Sequence, residues 1–161
     1  MRAFPKCDFA YLFVERKSEK DLCQTFKEEL ESQLGLTIYG EPERFTQIFE
    51  AIMRFASERP ITVVIDEFQE FIKVNPSVFS GIQKIWDLYK DNAKINLIVS
   101  GSVYTLIQKI FKSQKAALYG RETAFIKIDP FRVSVLKEIL GEYSLGYSNE
   151  DLLALWSFTG G

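Results

Sequence analysis

The chain contains no histidine. That absence removes Ser-His-Asp and Cys-His nucleophilic systems and every metal site built on imidazole. Cysteine is nearly as scarce. Cys7 and Cys23 are the two thiols in 161 residues, too few for a disulfide framework or a zinc site. Cys7 precedes an expected strand and Cys23 falls on an expected helix, so both read as packed thiols. An excess of one charge is missing too. With 20 basic against 22 acidic residues there is no bulk pull toward nucleic acid, which leaves nucleic-acid binding undetermined. No apolar run approaches the ~20 residues of a membrane helix, and the amino terminus is unlike a secretion signal. A cytoplasmic protein without membrane contact is expected.

What is present is apolar and aromatic: 47% hydrophobic and 14% aromatic residues, enough for a globular fold with a sizeable core. The most informative stretch is Ile61-Thr62-Val63-Val64-Ile65-Asp66-Glu67-Phe68-Gln69. A short continuous apolar run is how a strand buried on both faces of a parallel sheet reads. Asp66 and Glu67 then fall at its carboxyl end, where open α/β sheets bind ligands. This is the pattern of a Walker B motif, in which the first acid helps hold Mg²⁺ and the second polarises an attacking water. The plainer reading is a strand whose exit loop is acidic, with Asp66 capping the next turn.

The rest of the chain alternates strands and helices. Residues 8–14 (DFAYLFV) read as a buried strand. Ser18 caps a helix whose stripe is Leu22, Phe26, Leu30 and Leu34, and Gly35 stops it. A second helix covers about residues 44–58. Asn75-Pro76 opens a third, carrying Val78, Ile82, Ile85, Trp86 and Tyr89. Residues 95–99 form another apolar strand ending in Ser100-Gly101-Ser102. A helix with Val103, Leu106, Ile107, Ile110 and Phe111 on one face follows. Residues 123–128 read as a fourth strand, and two helical patterns, about 133–142 and 149–158, follow Pro130. The expectation is a three-layer α/β parallel sheet over residues 1–129, with a small helical appendage over 130–161.

A phosphate-binding loop, G-x-x-x-x-G-K-[ST], should accompany such an acid pair, because its backbone N–H groups cradle the phosphates. None of the nine glycines is followed by lysine. Lys17-Ser18 and Lys112-Ser113 lack the glycines that let a backbone wrap a phosphate. Residues 1–6 could end a helix, and the chain then runs directly into a strand. On this reading the first strand, the phosphate loop and most of the next helix lie upstream of Met1.

Four stretches give the chain a family resemblance. They are Tyr11-Leu12-Phe13-Val14-Glu15-Arg16; Val64-Ile65-Asp66-Glu67-Phe68-Gln69; Ile98-Val99-Ser100-Gly101-Ser102; and Leu118-Tyr119-Gly120-Arg121 leading to Ile126-Lys127-Ile128-Asp129-Pro130-Phe131. In this order they resemble the archaeal-type ATPase family of the STAND branch of AAA-related P-loop NTPases. The closing Phe158-Thr159-Gly160-Gly161 resembles the start of that family's Gly-x-Pro segment.

The resemblance implies a fold of the AAA type missing its P-loop strand, with ATP and Mg²⁺ as ligands. It implies that Asp66 orders the Mg²⁺ shell and Glu67 the hydrolytic water. Ser100 or Ser102 would be the polar sensor. Arg121 would stabilise transition-state charge, and the Gly160 region would let a helical lid read the nucleotide. No lysine or serine carries over to the phosphate-binding roles, so the chain alone is expected to be inactive. The family's intact proteins often continue into a winged-helix or nuclease-like region. Unpaired sheet edges beside the missing strand would invite self-association. The alternative is a nucleotide-independent α/β interaction or regulatory module. Each site residue also has a plain reading: Ser100 or Ser102 as a helix cap, Arg121 as a surface arginine, and Phe68 and Gln69 as structural.

Overall fold

The computed structural model describes residues 8–143 and 146–159; Cys7, Gly160 and the segment read as a helix end (residues 1–6) lie outside them. The chain divides into two compact units, residues 1–123 and 124–161.

The first unit is a three-stranded parallel sheet with helices between the strands. β1 (Asp8–Phe13) lies beside β2 (Ile61–Asp66), and β2 beside β3 (Ile95–Val99), in the order β1-β2-β3. The register places Tyr11 opposite Val64 and Val64 opposite Ile98, and sets Phe13 level with Asp66. Every connection between neighbouring strands passes through helices, as parallel pairing requires.

Local chemistry sets the helix boundaries. α1 (Glu19–Leu34) starts where Ser18 Oγ accepts from the Asp21 backbone N–H, and stops at Gly35, whose φ of 66° suits glycine. α2 (Phe45–Glu58) has Arg44, rather than Ser, Thr or Asp, at its N-cap. Gln47 accepts from the Arg44 N–H, and Glu19 of α1 reaches across to accept from the Phe45 N–H at 2.9 Å. Glu19 also accepts from Asn75 Nδ2, while Asn75 Oδ1 accepts from the Ser77 N–H that opens α4 (Ser77–Tyr89). The short α3 (Phe71–Val74) and α5 (Tyr104–Phe111) complete this unit.

One face of the sheet is packed. Ala10, Leu12, Ile61, Val63 and Ile65 are almost wholly buried, with α1 beside β1 and α2 beside β3. Both helices contribute fully buried stripes, including Phe26 and Leu30 from α1 and Ile48, Ile52 and Met53 from α2. The opposite face is not covered in the same way. Phe9, Tyr11 and Phe13 of β1 are 49%, 41% and 42% exposed, and Ile98 of β3 is 44% exposed. The apolar run at β2 therefore corrects one expectation: burial alternates along it, with Ile61, Val63 and Ile65 inside and Thr62, Val64 and Asp66 partly open.

A second expectation also changes. Residues 123–128 form no strand. Ile126 and Ile128 are 83% and 91% exposed. An extended segment needs a ladder to satisfy its backbone, and among the described residues the sheet ends at β3. The second unit consists of α6 (Val133–Tyr143) and α7 (Asn149–Thr159), which contact one another. Ser148 caps α7, its hydroxyl accepting from the Asp151 N–H at 3.2 Å.

Candidate functional site

β2 ends in its two acids at the carboxyl edge of the sheet, and the chain turns sharply there. Glu67 adopts φ 53° and ψ 35°, the one non-glycine residue with positive φ among those described. Such a backbone costs a bulky residue on the order of 1–3 kcal/mol and persists only where its surroundings enforce it. The enforcement is visible. Phe68 N–H donates to the Ser100 carbonyl at 3.0 Å, and Ser100 N–H donates to the Ile65 carbonyl at 3.0 Å, tying the β2 and β3 exits together. Phe68 is itself 1% exposed and meets Phe71, Phe79 and Phe111 with ring centroids 5.6–5.9 Å apart. It packs the strand–helix junction, so its anchor fixes where the two acids point.

Each acid has its own serine. Ser100 Oγ donates to Asp66 Oδ1 at 2.6 Å, and Ser102 Oγ donates to Glu67 Oε2 at 3.0 Å. The Ser100-Gly101-Ser102 exit of β3 therefore serves the β2 exit side chain by side chain. Asp66 is also the acceptor for its neighbour's backbone, with Glu67 N–H on Oδ1 at 2.9 Å. Tyr11 OH donates to Oδ2 at 2.6 Å from the open face of β1. The Ser100 hydroxyl above all, then Tyr11, hold the Asp66 carboxyl below the usual carboxylate range, against the opposing effect of partial burial. The same bond, chiefly, pushes the Tyr11 phenol upward.

Gln69 was expected to be structural, and it is 1% exposed, but its Nε2 also donates to Glu67 Oε2. Beyond it, Arg16 grips Glu70 with two bonds, Nε to Oε2 at 2.6 Å and an Nη to Oε1 at 3.1 Å. Arg16 first, then Lys73, lower the Glu70 carboxyl despite its burial. Arg121 is placed differently. Its guanidinium pairs with Asp87 of α4 at 2.6 and 3.2 Å, and one Nη donates to the Ala117 and Tyr119 carbonyls. The structure brings Asp66, Glu67, Ser100 and Ser102 together and gives Arg121 to α4; Gly160 lies outside the described residues. Tyr11 and Gln69 were missed as partners of the acids. The register of β1 on β2 is the signal for Tyr11, since residue 11 sits diagonally two positions short of Asp66 on one face.

Among the described residues no three acidic or thiol side chains converge on a metal position. The oxygen-only donor set nonetheless suits Mg²⁺, which takes one or two carboxylates and completes its shell with water and phosphate.

Comparison with known proteins assigns the lineage of this arrangement. A family described as an ATPase domain predominantly from Archaea matches residues 6–161. The chain belongs to this family. A curated relative, the uncharacterised protein MJECL04 of Methanocaldococcus jannaschii, is 34% identical over 113 residues, 70% of this chain and 24% of that protein. Among solved structures, the Walker-type ATPase PABY2304 of Pyrococcus abyssi is similar in fold, with a TM-score of 0.61 at 16% identity. That likeness covers 92% of this chain and 51% of the other. This ATPase-family chain thus spans about a quarter of its curated relative and half of its structural neighbour.

Proposed function

We propose that this chain is the Walker B and sensor half of an ATP-hydrolysing domain. The observation that carries the reading is the Asp66–Glu67 pair at the carboxyl end of the middle parallel strand, with Ser100 on one acid and Ser102 on the other. Asp66 is the residue that would hold Mg²⁺ through its shell, and Mg²⁺ would neutralise charge on the phosphates. Glu67 orients the attacking water. Ser100 and Ser102 act here by setting the two carboxylates. Arg121 reaches a nucleotide only after leaving Asp87, and Gly160 with the 130–161 helices serves as the beginning of a lid.

Positioning of the phosphates supplies most of phosphoryl-transfer catalysis, and no glycine here is followed by a lysine. The phosphate cradle on this reading comes from a segment outside these 161 residues. The half-exposed Phe9, Tyr11 and Phe13 and the edge of β3, which pairs with no further strand among the described residues, are where such a segment has room to add. The same edge supports self-association in its absence.

The test is Mg²⁺-dependent ATP turnover, with and without a supplied phosphate-loop segment. The chain alone is expected to turn over little ATP. With the segment joined, Glu67→Gln is expected to retain bound ATP and lose hydrolysis. Substantial turnover by the 161 residues alone, abolished by Glu67→Gln, overturns the reading that the cradle lies elsewhere.

The exposed aromatic face also favours a second reading, a nucleotide-independent interaction module. Glu67→Gln having no effect on nucleotide handling in the joined protein would select it.

A further inference from the structure

Gln69 presents an arrangement that packing does not explain. It is 1% exposed, a degree of burial glutamine seldom reaches, and its Oε1 is buried without a hydrogen-bond partner. A leucine or methionine of similar length would fill the space without stranding a polar atom. What leucine could not do is donate a hydrogen bond. Gln69 Nε2 donates to Glu67 Oε2, the same oxygen that accepts from Ser102 Oγ at 3.0 Å.

We propose that Gln69 is a positioning residue that fixes the carboxylate of Glu67, with Gly101 leaving the room it needs. Two donors from different elements converge on one oxygen, which removes the free rotation of the carboxylate and leaves Oε1 outside this clamp. The backbone contributes as well, since Glu67 is already held at φ 53° and its side chain leaves the turn in a set direction. The amide has one workable orientation. Turned over, it would set Oε1 against a carboxylate oxygen and lose the donor.

Gly101 closes the arrangement from the other side. A Cβ built there would lie 2.0 Å from Gln69 Oε1 and 2.8 Å from Ile107 Cδ1. The glycine is required for space. The three residues after β3 then divide three tasks: Ser100 sets Asp66, Gly101 admits Gln69, and Ser102 sets Glu67 from the other side. The catalytic meaning of this clamp rests on the reading of Glu67 as the water-orienting acid. The clamp itself does not.

The experiment has two arms, chosen to separate those two statements. In the 161-residue chain, the Glu67 side-chain ¹³Cδ resonance, assigned through Glu67→Gln, is followed in Gln69→Leu. The ATPase arm uses the chain joined to a phosphate-loop segment, and reads kcat and KM separately. Gln69→Leu is expected to leave the unfolding midpoint unchanged or higher, because the stranded oxygen is gone. The Glu67 resonance is expected to move. In turnover, kcat is expected to fall between about tenfold and a hundredfold with KM unchanged, the scale of a misplaced catalytic group. Should Gln69→Leu fail to fold, Glu67→Ala read at the Gln69 side-chain amide resonances tests the same bond. A Glu67 resonance that stays in place in Gln69→Leu overturns the proposal, as does an unmoved Gln69 amide in Glu67→Ala. An unchanged kcat in Gln69→Leu, where Glu67→Gln abolishes turnover, also overturns it. If Glu67→Gln leaves turnover intact while the resonance moves, the ATPase reading fails and the clamp stands.

Discussion

The Tyr11 hydroxyl donates a 2.6 Å hydrogen bond to Oδ2 of Asp66, joining the half-exposed face of β1 to the acid that ends β2. Together with Ser100 on Oδ1, it occupies both oxygens of the candidate metal-shell residue. Asp66 is therefore pre-set, and a cation that takes Oδ2 directly must share that oxygen with the phenol or displace it.

The pair has a pH signature that Tyr11→Phe should reveal. The Asp66 carboxyl is depressed from its ordinary 3.8, so the stabilisation it gains is complete above that value and lost as pH falls through the lower folded pKa. The Tyr11 phenol is raised from 10.0, so its share is complete below 10.0 and lost as pH rises through the higher folded pKa. The difference in unfolding midpoint between wild type and Tyr11→Phe should be flat from about pH 5 to 9 and shrink at both extremes. A difference that grows toward acid would contradict the assigned bond.

The Phe68 side chain should matter to the acids through packing. It is fully buried among Phe71, Phe79 and Phe111, and its backbone N–H holds the Ser100 carbonyl. Phe68→Ala is expected to cost about 3–5 kcal/mol in urea denaturation. Phe68→Leu keeps most of the volume and should cost less than half as much. Small losses for both would mean that the ring cluster contributes little.

Much of this was legible because its cause is local. Ser18, Gly35 and Asn75 signal their boundaries through side-chain hydrogen bonds and φ preference, and the parallel strands through β-branched runs between helical stripes. Residues 123–128 misled because a strand is a property of its neighbour as well as its sequence; Ile126 and Ile128 alternate correctly, yet both are exposed and the sheet of the described residues ends at β3. The run at residues 61–65 could not reveal that one face would stay partly open, since apolar residues are equally at home under a helix or awaiting one. The acid pair was readable as a motif, and Ser100 and Ser102 as candidates. Their division between Asp66 and Glu67, and the parts of Tyr11 and Gln69, depend on register and on a polar residue going inside.

The α2–α4 crossing offers an independent check on packing. A Cβ at Gly81 would lie 2.2 Å from Thr46 Cγ2, so the two helices meet through a missing side chain. Gly81→Ala is expected to destabilise by about 1–3 kcal/mol, despite alanine's better helix propensity. Thr46→Ser removes the obstructing methyl, and the double variant should recover most of the loss. A Gly81→Ala chain as stable as wild type would place the helices farther apart.

Cys23 should report global unfolding. It is fully buried on α1, and burial chiefly, with Glu19 nearby, pushes its thiol up to about 12. The thiolate is the reactive form, so alkylation at neutral pH should proceed no faster than the chain opens. Peptide mapping after iodoacetamide treatment separates it from Cys7. Rapid labelling of Cys23 in the native chain would contradict the packing of α1.

Arg121 is the residue on which structure and resemblance pull apart, and one cycle of variants decides between them. Its guanidinium is taken by Asp87, which it also holds below the usual carboxylate range, and by two backbone carbonyls. If that is its whole role, Arg121→Ala and Asp87→Ala should each weaken stability slightly, Arg121→Ala the more because it also takes a donor from the Ala117 and Tyr119 carbonyls, and the double variant should lose less than the sum of the two. Turnover in the joined protein would then respond equally to both. If Arg121 also serves transition-state charge, Asp87→Ala frees it and should leave kcat intact, whereas Arg121→Ala should lower kcat by a thousandfold or so, the scale of an arginine finger. The bidentate geometry favours the structural outcome in the absence of nucleotide. The expected result is a small stability loss from each variant and a loss of kcat from Arg121→Ala alone, because an ion pair this exposed is weak enough for a phosphate to displace.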